Sequence, residues 1–101
     1  MKWQDHVTSK EISSIKKLHS TYEIEYKNFS KRLIINVWEA GTGEFYGTTN
    51  LKMKRKCDGS FYTQKNSCGS PEEALQLAVW GFADVIRAPY DEIEYEEVKK
   101  F

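Results

Sequence analysis

Proline and cysteine are both scarce in this chain, with two of each in 101 residues. Few prolines and a 30% charged fraction argue against disorder. Cys57 and Cys68 flank a segment that reads as extended, so their Cα atoms are expected about 30 Å apart, beyond the ~7 Å reach of a disulfide. Two free thiols suit a reducing compartment. No apolar run approaches the ~18 residues of a membrane-spanning helix. Residues 1–6, Met-Lys-Trp-Gln-Asp-His, lack a signal peptide's apolar stretch, and the expected location is cytoplasmic. Net charge is also absent, at 15 basic against 15 acidic residues, which argues against a generic nucleic-acid binder.

Catalytic and metal-binding patterns are missing too. His6, His19, Cys57 and Cys68 stand in no paired short spacing of the kind that holds zinc. Cys68 precedes a helix start, where thiol pKa values fall, but it sits two residues outside the cap and two glutamates follow. The carboxylate pairs Glu23/Glu25 and Glu94/Glu96 read as solvated strand faces, and Gly41-Thr-Gly43 as a hairpin tip rather than a phosphate cradle. The expectation is a protein that is not an enzyme, without cofactor or metal.

What is present is punctuation. Ser70 caps a helix, Pro71 suits its first turn, and Glu73 completes a capping box. The helix should run from Pro71 to Arg87, burying Leu75, Ala78, Val79, Phe82 and Ile86, with Ala74, Gly81 and Val85 widening the stripe. A second capping box, Thr8 to Glu11, predicts an N-terminal helix with Ile12, Ile15 and Leu18 as its stripe. Alternation then predicts strands. Tyr22, Ile24 and Tyr26 share one face, and Asn28 to Lys31 reads as a turn. Leu33, Ile35 and Val37 oppose Ile34, Asn36 and Trp38, and Ala40 to Gly43 is a hairpin loop. Phe45, Gly47, Thr49, Leu51 and Met53 share one face of a long strand. Asp58-Gly59 returns it through Ser60 to Asn66, with Phe61 and Thr63 inward. The tail carries an Asp91 to Glu94 capping box and a competing Ile93, Tyr95 alternation; it reads as a short helix.

The fold expectation is therefore α+β in a single compact domain, 1–101. It comprises an N-terminal helix, a four-stranded antiparallel meander sheet, one long helix packed on the sheet, and a short C-terminal element within the acidic segment 90–101. The expected core is Ile12, Ile15, Ile24, Leu33, Ile35, Val37, Phe45, Leu51, Phe61, Leu75, Val79, Phe82 and Ile86.

Function has to be read from surfaces. Charge is split along the chain: residues 1–65 hold 12 basic and 7 acidic side chains, residues 66–101 hold 3 and 8. Lys52, Lys54, Arg55 and Lys56 form a basic ridge, which Trp38, Tyr46 and Tyr62 on neighbouring strands would turn into a phosphate- and base-binding face. Asp91, Glu92, Glu94, Glu96 and Glu97 form the opposite surface, able to occupy a phosphate site. Trp80 is expected to pack under the N-terminal helix; left exposed, it would make with Leu77 an aromatic interface anchor.

The order helix, antiparallel strands, helix over residues 9–87 resembles double-stranded RNA-binding domains in topology. That family's phosphate-binding lysines, however, are replaced by Ser70-Pro-Glu-Glu-Ala, so no RNA contact carries over. A sheet followed by that same phrase, residues 33–87, is similar to the sheet-type DNA-binding domains of phage integrases.

The leading expectation is a non-enzymatic protein-binding module whose partner handles nucleic acid. By class analogy it is a phage or mobile-element inhibitor of a host defence nuclease, anti-CRISPR-like. The alternative is direct nucleic-acid binding through the basic, aromatic sheet face. An exposed edge strand would permit dimerisation.

Overall fold

The architecture follows from one long hairpin and the way its third strand leaves it. The computed structural model describes residues 2–27, 29–61 and 67–101. Strand β1 (Lys16–Tyr26) pairs antiparallel with β2 (Phe29–Ala40), and β2 with β3 (Phe45–Thr49). A separate two-stranded sheet joins β4 (Leu51–Arg55) to β5 (Ile93–Glu97), and helix α1 (Pro71–Ile86) lies between β4 and β5 in sequence. Short 3-10 turns occupy Trp3–His6 and Tyr90–Glu92. The fold is thus α+β, with a three-stranded and a two-stranded antiparallel sheet instead of one four-stranded meander.

Sheet separation is set at Asn50. Its backbone N–H donates to the Ile34 carbonyl at 3.1 Å, prolonging the β2–β3 ladder by one step. Its side chain stands in for the next residue: Oδ1 accepts from Ile34 N–H at 2.7 Å and Nδ2 donates to the Arg32 carbonyl at 3.1 Å. Thr49 Oγ1 donates to the Leu51 carbonyl at 2.8 Å, fixing the bend. With β2 satisfied by a side chain, the backbone after Asn50 turns away and pairs with β5 in the register Leu51↔Glu97 to Arg55↔Ile93. The Asn50 carbonyl accepts from Val98 N–H at 2.7 Å, so one residue ties the two sheets together.

The core lies between these sheets and α1. Leu33, Ile35 and Val37 of β2 are fully buried, as are Met53 and Ala74, with Leu51, Ala78 and Phe82 nearly so. Burying side chains of this size contributes about 1.5–3 kcal/mol each. Helix α1 starts as its sequence dictates: Ser70 is extended, its side chain accepts from Glu73 N–H at 3.2 Å, and Pro71 opens the first turn. Its buried face is Ala74, Ala78, Phe82, Val85 and Ile86, all within the expected stripe and its widening, while Leu75 and Val79 are half-buried toward one side. Phe29, Met53, Cys68 and Ile93 join the core, whereas Ile12 is exposed and Ile15, Ile24, Phe45 and Phe61 are half-buried.

Four further expectations are corrected. The N-terminal helix does not form: Ser9 and Glu11 cap only an isolated turn, and the chain enters β1 at Lys16. Three apolar residues over three turns offer a helix little burial. Of these only Leu18 enters β1, where with Thr21, Tyr22 and Ile24 it gains an antiparallel partner in β2. The Asn28–Lys31 turn is shorter than expected, since β2 already begins at Phe29, across from Tyr26; Asn28 lies outside the described residues. No strand begins at Ser60 or Phe61, and the rest of the expected return, 62–66 with Thr63, lies outside the described residues. The tail is a strand, because the alternation of Ile93 and Tyr95 finds an unpaired edge in β4.

Candidate interaction surface

Sheet register decides what the charged surfaces are. Lys52 stands opposite Glu96 and Lys54 opposite Glu94, with ion pairs at 4.0 and 3.3 Å. The basic ridge and the acidic tail are therefore the two strands of one ladder, each neutralising the other. Lys54 is the best held. It is 18% exposed, donates to the Asp58 carbonyl at 3.2 Å and lies 5.6 Å from the Phe61 ring centre. Arg55 is turned to Asp58 through Nε and NH2, at 3.1 and 3.0 Å. These bonds, with one from Arg55 N–H, hold the Asp58 carboxyl below the usual carboxylate range. Glu97 reaches Lys31 of β2 at 3.7 Å. Lys56, Asp91 and Glu92 are exposed at the ladder's end, and among the described residues none of the three has an ion-pair partner.

The aromatic residues lie elsewhere. Trp38 and Tyr46 are cross-strand partners of β2 and β3. They occupy the face opposite to Leu33, Ile35 and Val37, hence away from α1. Trp38 Nε1 donates to Thr48 Oγ1 at 2.8 Å, and Lys16 Nζ sits 4.2 Å from the Trp38 ring centre. Tyr62 lies outside the described residues. The aromatic pair and the lysine ridge thus belong to different sheets.

Trp80 is the outlier. It is 58% exposed on α1, more than any other large apolar side chain described. No N-terminal helix covers it. Beside it two shallow grooves meet at Ala83: one of about 310 Å³ lined by Trp80, Ala83, Asp84 and Arg87, the other of about 260 Å³ lined by Tyr26, Lys27, Ala83, Ile86 and Arg87. An Arg87–Asp84 ion pair at 3.1 Å edges the surface. Burial pushes the Tyr26 hydroxyl above its ordinary pKa. Leu77, the expected companion, packs against the core instead. Tyr26, Ala83 and Arg87 were not anticipated; the spacing Trp80, Ala83, Arg87 places them on one helix face and is the signal that finds them.

Neither cysteine is in a disulfide: Cys57 is exposed, and Cys68 is buried in an isolated bridge with Phe45. Desolvation, then the charge of Glu73, raises the Cys68 pKa, the opposite of activation. Among the described residues no group of three or more His, Cys, Asp or Glu is placed to hold a metal ion. No described helix is long and apolar enough to cross a membrane. Compared with known protein families, curated proteins and solved structures, the chain matches none.

Proposed function

We propose that this chain is a non-enzymatic protein-binding module that engages its partner through the outer face of α1. The observation that supports this is the 58% exposed Trp80 on a capped helix, beside a mixed groove with Asp84 and Arg87 that meets a mostly apolar one at Ala83. A large aromatic held by regular structure, next to small residues that admit a partner and edged by charge, has the anatomy of an interface anchor. The finer reading, an anti-CRISPR-like inhibitor of a nucleic-acid-handling defence protein, rests on small size and charge split, and is part of the same proposal.

The test is affinity capture from host lysate with the wild-type chain and Trp80→Ala in parallel, each with and without nuclease. A discrete protein that survives nuclease and is lost with Trp80→Ala is the expected result, and its identity tests the finer reading. A protein captured equally by both chains overturns the assignment of the surface. Recovery of nucleic acid alone favours the second reading, direct nucleic-acid binding by the face that carries Trp38 and Tyr46. That reading is supported by their side-by-side placement with Lys16 alongside. It calls for affinity that falls steeply with salt.

A further inference from the structure

The longest solvent-facing edge of the molecule belongs to β1, which pairs with β2 alone among the described strands. Which of its backbone groups are free follows from β2. Ile34 turns both its N–H and its carbonyl toward Asn50, as Ala40 turns both toward the β3 hairpin. Antiparallel alternation then directs Leu33, Ile35 and Val37 toward β1, where they face Ile24, Tyr22 and Ser20. The β1 residues opposite Ile34, Asn36, Trp38 and Ala40 are Glu23, Thr21, Leu18 and Lys16, and these turn N–H and carbonyl outward. The bulge between Leu18 and Ser20 divides this row into two outward pairs, Lys16 with Leu18 and Thr21 with Glu23, and a second irregularity between Ile24 and Tyr26 ends it.

Its side chains select the strand. The middle, from Leu18 to Tyr22, carries no acidic or Lys/Arg side chain, and Leu18 and Tyr22 are 46% and 40% exposed. The ends are charged with opposite sign, Lys16 and Lys17 at one and Glu23 and Glu25 at the other. Single lysines in mid-strand would repel any added strand. Opposite ends instead repel a parallel copy and match an antiparallel one. Rotating a second β1 about a two-fold axis near His19 and Ser20 sets each Lys16 across from Glu23 of its mate and each Leu18 across from Thr21, all on the sheet face that carries Trp38. Tyr22, on the other face with Ile35, then lies across from Lys17 of the mate. Glu23 and Glu25 already share Arg32, each at 3.2 Å, so the charges set register and direction while backbone bonds and apolar burial hold the pair.

We propose that two copies of this chain dimerise by antiparallel pairing of their β1 edges, forming a continuous six-stranded sheet. The surface is separate from the Trp80 face, so either proposal can fail alone.

Sedimentation equilibrium of the full chain across a wide concentration range tests it. The expected mass is twice 11.8 kDa at the upper concentrations. Thr21→Pro removes an outward N–H that β2 does not use, and proline is tolerated on strand edges. With circular dichroism unchanged, it should raise the dimer Kd about a hundredfold or more, since each loss counts twice. Lys16→Glu alone should weaken the dimer, and Lys16→Glu with Glu23→Lys should restore it, which a merely structural effect would not do. A monomer at every concentration overturns the proposal. So does a dimer indifferent to Thr21→Pro and to the charge reversal, or one abolished by Trp80→Ala instead.

Discussion

Helix α1 and the β4–β5 ladder both project side chains into solvent, but they leave them in opposite conditions. On the ladder, Lys52 and Lys54 are matched by Glu96 and Glu94 on the adjacent strand. On the helix, Trp80 presents most of its surface with no counterpart. The ladder makes its own complement within one chain, so its charges serve sheet register. The helix face is incomplete by the same criterion. A charge run in the sequence is therefore a poor guide to a binding surface until its cross-strand neighbour is known.

The sharpest contrast lies within α1 itself. Phe82 is 2% exposed and Trp80 58%, though only Gly81 separates them. Phe82→Ala should destabilise the fold by about 3–5 kcal/mol in urea denaturation, through lost burial and the cavity left behind. Trp80→Ala should shift stability by no more than about 0.5 kcal/mol yet weaken partner binding by about 2 kcal/mol, some thirtyfold, in titration calorimetry. A Trp80→Ala variant that unfolds like Phe82→Ala would make the aromatic structural and remove the contrast.

Asn50 is the hinge between the two regions and ranks next. Asn50→Ala leaves Ile34 N–H and the Arg32 carbonyl without their side-chain partners. The expected loss is about 1–3 kcal/mol, with hydrogen exchange accelerating at Val98 and along β5 before it does in β2. Uniform acceleration would mean that the sheets do not separate at this residue.

Much of the larger region was legible before the structure. Ser70, Pro71 and Glu73 act locally, so the start of α1 could be read directly, and the period-two pattern of Leu33, Ile35 and Val37 fixed β2. What escaped depends on distant pairing. The Thr8–Glu11 capping signal is sound chemistry, but it nucleates only a turn, because β2 offers residues 16–26 a ladder of backbone pairing that a lone helix with a three-residue apolar stripe does not outweigh. The alternation from Phe45 to Met53 is unbroken in sequence, so nothing local announces that Asn50 will replace a ladder residue with its side chain. Of the candidate site, the residue types were visible: the lysines, the glutamates, Trp80. That Lys54 faces Glu94 was hidden, since 40 positions of chain separate them.

The ladder's compensation can be tested by reversing it. Lys54→Glu or Glu94→Lys alone sets like charges across the strands. Each should cost about 0.2–1 kcal/mol, more at low salt, and the double reversal should recover most of it in a double-mutant cycle. Lys54 should respond more than Lys52, because its side chain is 18% exposed against 47%. Equal losses in the single and double variants would mean that the two strands hold their charges independently.

The smallest effect is expected where β4 ends. Arg55 holds Asp58 ionised through side-chain and backbone hydrogen bonds, which lowers its pKa in the folded chain relative to the unfolded one. A carboxylate shifted in that sense adds stability above its unfolded pKa of about 4 and loses it as pH falls through the lower folded value. Asp58→Asn should therefore weaken this turn at neutral pH and flatten the acid limb of local opening, read as hydrogen exchange at the Arg55 and Asp58 amides between pH 6 and pH 3 after correction for intrinsic rates. The helix face carrying Trp80 should show no such dependence. If opening at Arg55 tracks pH equally in the wild type and Asp58→Asn, the carboxylate is not what closes the turn, and the ladder ends at its last cross-strand pair, Arg55↔Ile93.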